Sequence, residues 1–193
     1  LRASDATAVA VCFLFSHINP AHEQRLGAAL AEALPDLPVS LSSAVQPEFR
    51  EYERLSTTVL NAYLQPVMGR YLRHFEAELR AMAPRAALGI NQSAGGLMSP
   101  ARARELPIRT ALSGPAAGSV GAIHTARLAG TPDVITLDMG GTSADVCLIR
   151  DYAAQMSYER WIEGYPARLA SIDINAVGAG GGSIAWFESD GLL

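Results

Sequence analysis

At 193 residues the chain is long enough to bury a substantial core in one or two domains. Hydrophobic residues make up 49% and charged residues 18%, and the formal net charge of -4 comes with no basic run, which argues against a nucleic-acid or acidic-membrane footprint. All 15 basic residues are arginine, so no lysine is present to hold nucleotide phosphates, form a Schiff base or act as a general base; phosphate binding would have to use backbone amides, hydroxyls, arginine or a metal.

The first apolar run, Ala8 to Phe15, is β-rich and suits a strand covered on both faces. It is too short to span a bilayer and lacks the basic flank and cleavage site of a signal peptide. Cys12 within it and Cys147 later show no C-x-x-C spacing and read as buried free thiols in a reducing cytoplasm. Asn19-Pro20 supplies a helix start, with asparagine as N-cap and proline at the first helical position, and Leu26, Leu30 and Leu34 carry the helical spacing to Pro35. Val39 to Val45 reads as a second short strand.

A long helical pattern runs from Glu48 to Met82, with Tyr52, Leu55, Val59 and Tyr63 on one stripe and Tyr71, Phe75, Leu79 and Met82 continuing it. Pro66 is expected to break or kink it, because proline removes an intrahelical bond and clashes with the preceding turn. Arg50 and Arg54 with Glu48, Glu51 and Glu53 read as ion pairs on the helix surface, although Arg54 leaves an interface role open. Ala86 to Ile90 reads as a strand before a Gly95-Gly96 turn. Ser113-Gly114-Pro115 then opens a helix to about Ala129, whose glycines suggest close approach of another backbone or a ligand. After Gly130 the character changes to β, with strands expected at Val134 to Asp138, Thr142 to Ile149 and Ala170 to Val177. The expected division is therefore residues 1–129 and residues 130–193.

The stretch Ile135 to Ile149 places an acidic residue, two glycines, two hydroxyls and a second acidic residue between strands. A Gly140-Gly141 turn turns amides toward an anion with no Cβ in the way, and Thr142 and Ser143 add hydroxyls. Asp138, at a strand end, and Asp145 are the candidate carboxylates for Mg2+ or its water. On its own the pattern fits an ordinary hairpin equally well. Gly180, Gly181, Gly182 and Ser183 form a second candidate cradle or a plain flexible turn, with Asp173 before it as a possible metal ligand; as a dinucleotide fingerprint this run fails, because Ser183 occupies the third glycine position. His17 and His22 invite a metal reading, but their spacing falls outside H-E-x-x-H logic, and they are read mainly as shaping the strand-to-helix turn.

The run Asp138 to Asp145 is similar to the second phosphate motif of the sugar-kinase, heat-shock chaperone and actin superfamily, and Ser113 to Ala122 resembles its interlobe helix. Within that superfamily the chain resembles the hydantoinase A and 5-oxoprolinase family, through Ser16–Glu23, Leu41–Leu64, Asn91–Gly96, LSGPAAGSVGA, LDMGGTSADV and Val177–Trp186. Ala144 departs from the threonine usual there. The resemblance implies an α/β fold of ribonuclease-H-like lobes with mixed sheets flanked by helices, in which residues 1–129 close the first lobe through a connecting helix at 113–129 and residues 130–193 open the second. It further implies ATP and Mg2+, a small cyclic-amide substrate such as a hydantoin or 5-oxoproline whose carbonyl oxygen is phosphorylated, and a second hydantoinase B-like subunit or domain, with no nucleic acid or membrane. The same family includes ATP-dependent acetone and acetophenone carboxylases, and a non-catalytic actin-like nucleotide-binding module is the remaining alternative. Because the family's first phosphate loop is not in this sequence, the chain is expected to be a piece of something longer with weak or no ATP turnover by itself.

Overall fold

A computed structural model describes Leu1 and residues 4–186; the stretch 187–193 of the expected second lobe lies outside the described residues. The first unit is a parallel pair, β1 (Val9–Val11) beside β2 (Val39–Leu41), joined by helix α1 (Ala21–Ala33). The helix begins one residue later than expected, with Pro20 at the N-cap and no side-chain cap there, while Asn19 Oδ1 accepts the Ala21 N–H at 3.1 Å. β1 stops earlier than the apolar run suggests. The Phe13 N–H donates to Glu23 Oε1 and the Phe13 carbonyl accepts from Arg54, so the groups that would extend a ladder are taken. The second strand is likewise cut short: Ser43 N–H donates to Glu23 Oε2 at 2.8 Å, and residues Ser42–Val45 form a single helical turn, α2.

Helix α3 (Glu51–Met82) is uninterrupted through Pro66, against the expected break. One lost intrahelical bond costs about 3 kcal/mol, which the packing of this helix on β1, β2 and the later strands offsets. The Tyr52, Leu55, Val59, Tyr63 stripe exists but faces outward, with Tyr63 77% and Tyr52 67% exposed. The buried face carries Arg54, Thr57, Thr58 and Asn61. These are satisfied rather than stranded: Asn61 Nδ2 donates to Ser40 Oγ (2.9 Å) and to the Glu105 carbonyl (3.0 Å), its Oδ1 accepts from Ile108 N–H, and Thr57 Oγ1 accepts from Arg168 N–H. Hydrogen bonding thus lets a polar face occupy the interior.

After α3, the short hairpin β3 (Ile90–Asn91) and β4 (Leu97–Met98) encloses the Gly95-Gly96 turn, where both glycines have positive φ. Helix α4 (Pro100–Glu105) and a 3-10 turn at Pro107–Thr110 lead into α5 (Ser113–Ala129). Strands β5 (Val134–Met139) and β6 (Ala144–Arg150) pair antiparallel; β10 (Ile174–Val177) flanks β6 on its other side, and β7 (Ala153–Ala154) caps its end. A further hairpin, β8 (Met156–Ile162) with β9 (Tyr165–Ile172), turns through Glu163 and Gly164, both at positive φ as such a tight two-residue turn demands.

Two apolar clusters organise the halves. Val45, Leu106 and Ile108 pack with Ala167 and Leu169 of β9, while Ala116 of α5 packs with Cys147, Ile149, Ile172 and Ile174. β9 and its continuation thus join both clusters. Cys147 is buried as expected and Cys12 only half-buried.

Candidate functional site

Register decides what the Asp138–Asp145 run can do. Asp138 pairs with Asp145, Thr136 with Cys147 and Val134 with Ile149 across the β5–β6 hairpin, so these residues share the face turned to α5 while Ile135, Leu137 and Met139 take the opposite one. The two carboxylates, directly opposite each other, repel unless a cation lies between. They line a cavity of about 270 Å3 whose far wall is α5, through Pro115, Gly118, Ser119 and Ala122. A Cβ on Gly118 would meet nothing within 4 Å. The small residues of α5 therefore leave open space opposite the carboxylates rather than admitting a second backbone.

At the hairpin tip, Gly140 N–H donates to the Ser143 carbonyl at 2.9 Å, while the amides of Gly141, Thr142 and Ser143 donate to nothing among the described residues. Successive free amides at a turn form an anion-binding concavity. The second glycine run docks on this tip: Gly181 N–H donates to the Gly140 carbonyl (2.9 Å) and Gly182 N–H to the Gly141 carbonyl (3.0 Å). A Cβ on Gly180 would lie 2.6 Å from the Gly140 carbonyl oxygen and 2.7 Å from Thr142 N, so backbone meets backbone there and glycine is required. Gly180 N–H goes to Ser183 Oγ and Ser183 N–H to the Gly180 carbonyl. The amides of Gly180–Ser183 are thus used internally; this run braces the first turn instead of offering a cradle of its own.

Asp173 sits apart from the cavity, exposed in the link between β9 and β10 with its amide on the Gln155 carbonyl. Among the described residues no group of three or more His, Cys, Asp or Glu side chains could hold a metal. Two carboxylates near free turn amides nevertheless suit the chemistry of Mg2+, which is held by one or two carboxylates with phosphate and water supplying its other ligands.

His17 and His22 do not meet at a metal. His17 Nδ1 accepts from Arg54 Nη1 at 3.0 Å and His22 is exposed on α1. Arg54 itself corrects the surface reading of its charge cluster. Fully buried, it donates to Ser42 Oγ (3.1 Å) and to the carbonyls of Glu48 (2.8 Å) and Phe13 (2.7 Å). Glu23, also fully buried, accepts from Ser42 Oγ at 2.7 Å. Burial pushes the Glu23 carboxyl up, but hydrogen bonds from Ser42 and the Ser43 and Phe13 amides outweigh it and hold the group below its usual 4.5. Ser42 thus links a buried anion to a buried cation beneath the turn at residues 13–18. The sequence offered Glu23 only as a neighbour of His17 and His22 in the metal reading and did not show its buried role; its position in the first turn of α1 was the available signal. Sequence reasoning also missed Thr136, two residues before Asp138 and so on the same strand face.

The profile of the Hydantoinase/oxoprolinase family matches residues 54–193. The chain belongs to the hydantoinase/oxoprolinase family. Caprolactamase subunit alpha of Pseudomonas jessenii is 40% identical over 192 residues, a match covering 100% of this chain and 28% of the relative. The 5-oxoprolinase of Saccharomyces cerevisiae is 36% identical, covering 95% of this chain and 14% of the relative. The crystal structure of ATP-dependent caprolactamase from Pseudomonas jessenii superposes with a TM-score of 0.87 at 38% identity, over 100% of this chain and 28% of that one. A nucleotide-free acetone carboxylase structure gives 0.77 at 26%, over 98% and 27%. The chain therefore spans under a third of the length of these hydantoinase/oxoprolinase relatives, and its mixed α/β fold is theirs. Among the described residues no helix is long and apolar enough to cross a membrane.

Proposed function

We propose that this chain supplies the second phosphate-binding hairpin of an ATP-dependent enzyme that opens small cyclic amides. The carrying observation is the cavity in which Asp138 and Asp145 face the small-residue side of α5 beside the free amides of Gly141, Thr142 and Ser143. In this reading those amides and the Thr142 and Ser143 hydroxyls hold phosphoryl oxygens, and Asp138, with Asp145 opposite, holds Mg2+ or its water. Gly180–Ser183 keeps the turn in shape from behind. ATP supplies the phosphoryl group that makes an amide carbonyl a better electrophile, and the chain contributes alignment and charge stabilisation.

The architecture proposed with it is a pair of ribonuclease-H-like lobes, with α5 connecting residues 1–129 to a second lobe that opens at 130. ATP dependence is supported by the names of the caprolactamase and acetone carboxylase structures, and a second subunit by the naming of the caprolactamase relative as a subunit alpha. The likeness to acetone carboxylase supports a second reading, in which the phosphoryl group activates a ketone or bicarbonate. Phosphate release by the full-length complex, measured with hydantoin, 5-oxoproline, caprolactam, and acetone with bicarbonate, separates the two. Asp138→Ala and Asp145→Ala are expected to lose turnover while staying folded; full activity in both would reject the site.

A further inference from the structure

The Asn91–Gly96 turn does not line the cavity of Asp138 and Asp145, yet it is firmly built. Ser93 is buried, and its N–H (2.8 Å) and Oγ (2.7 Å) both donate to the Arg109 carbonyl. This clamps the turn to the 3-10 segment Pro107–Thr110. Between them opens a second cavity, of about 200 Å3, lined by Gln46, Glu48, Gln92, Arg109 and Tyr158 with Leu169 among its apolar residues.

Of the charged side chains lining this cavity, Glu48 has a partner and Arg109 has none among the described residues. Glu48 is engaged by Gln46 Nε2 and by Arg168 Nε at 2.9 Å, an arginine that also reaches Glu159 at 3.3 Å. The neighbouring cation, Arg102, is paired with Glu105 at 2.8 Å. The Arg109 guanidinium has no hydrogen bond or ion pair among the described residues, although it is half-buried. Burial and the charge of Arg102 lower its pKa from the ordinary arginine value, and arginine cannot relieve the cost by losing its proton at any accessible pH. A desolvated cation without a partner favours an incoming anion.

We propose that this cavity binds a small organic carboxylate, with the Arg109 guanidinium as its counter-ion and the Gln46 and Gln92 amides and the Tyr158 hydroxyl orienting the rest of the ligand. A carboxylate matches the planar fork of one guanidinium. A phosphate dianion would meet the Glu48 carboxylate with Arg109 as the one free cation among the described residues lining the cavity. The volume is below the roughly 300–1,000 Å3 of sites for drug-sized ligands, so the occupant is amino-acid sized. It is either a lactam acid or a plain carboxylate. The proposal rests on Arg109 and not on the reading of the glycine hairpin.

The test is calorimetric titration of the full-length chain with 5-oxoproline, 2-pyrrolidone, acetate and inorganic phosphate, in wild type, Arg109→Gln, Gln92→Ala and Asp138→Asn. Saturable binding of 5-oxoproline is expected, weakened about tenfold or more in Arg109→Gln, as loss of a charge-assisted hydrogen bond implies, weakened in Gln92→Ala and unchanged in Asp138→Asn. Acetate binding as tightly as 5-oxoproline identifies a plain carboxylate site, and a clear preference for 5-oxoproline identifies a lactam acid; either supports the proposal. Binding of 2-pyrrolidone or phosphate as tight as that of the carboxylates, no carboxylate binding, or unchanged binding in a folded Arg109→Gln overturns it. Should Arg109→Gln not fold, unchanged binding in Gln92→Ala does so instead. Mg-ATP binding, measured in the same variants, depends on Asp138 and not on Arg109, so failure of the hairpin reading registers separately.

Discussion

Replacing Gly180 by alanine probes the contact between the two glycine runs. The added Cβ would sit 2.6 Å from the Gly140 carbonyl oxygen, where ordinary contact begins at 3.4 Å, so one loop must retreat by about 0.8 Å. Both neighbours are backbone and cannot swing aside. Retreat stretches the bonds from Gly181 N–H to the Gly140 carbonyl and from Gly182 N–H to the Gly141 carbonyl, now 2.9 and 3.0 Å. Overpacking of this kind costs about 1–3 kcal/mol, and because the loop can undock the loss is capped near the value of those two bonds, about 1–3 kcal/mol together. If the docked loop holds the hairpin tip in its anion-binding shape, nucleotide affinity should fall by about tenfold to a hundredfold. The assay is calorimetric nucleotide binding by the full-length protein with thermal unfolding alongside. Gly178→Ala is the control: its Cβ meets nothing within 4 Å, so it should be neutral or slightly stabilising. Wild-type affinity and stability in Gly180→Ala, or equal damage from Gly178→Ala, would refute the reasoning.

Arg54→Ala should destabilise by about 3–5 kcal/mol in denaturant titration, because it removes the buried cation linked to Glu23 through Ser42 and leaves the Glu48 carbonyl without its donor; Arg54→Lys should not rescue it, since one ammonium cannot span the fork. The lowered Glu23 pKa adds stability that is present above its ordinary value of 4.5 and is lost as pH falls through the folded value. Glu23→Gln should therefore flatten the pH dependence of unfolding below pH 4.5, and an unaltered acid limb would count against the network. Asp138→Asn should raise stability without nucleotide by up to about 1 kcal/mol in thermal unfolding, by removing repulsion across the strand pair, while abolishing Mg2+-dependent nucleotide binding. Val59→Ser, on the exposed stripe of α3, should change stability by no more than about 0.5 kcal/mol, whereas Asn61→Leu on the same helix should cost several-fold more, by stranding Ile108 N–H.

Much of the candidate site was legible because its signals are local. Alternation along Val134–Asp138, a glycine pair and a returning strand fix a hairpin, and a hairpin of that length sets Asp138 against Asp145 whatever surrounds it. The start of α1 at Asn19-Pro20 was readable to within one residue for the same reason. The β8–β9 hairpin was missed, since its turn at Glu163-Gly164 carries only one strong turn residue. Gly180–Ser183 looked like a cradle because glycine richness says that backbone is accessible, not which acceptor takes each amide.

Helix α3 marks the limit of the sequence alone. Its pattern specified a long helix with an apolar stripe, and both are present. Which face the fold buries was decided by partners distant in the chain: Glu23 and Ser42 around Arg54, Ser40 and Glu105 around Asn61, Arg168 on Thr57. Periodicity records which side chains share a face, but a polar face goes inside only when hydrogen-bond partners from elsewhere arrive to meet it, and that is a property of the tertiary structure.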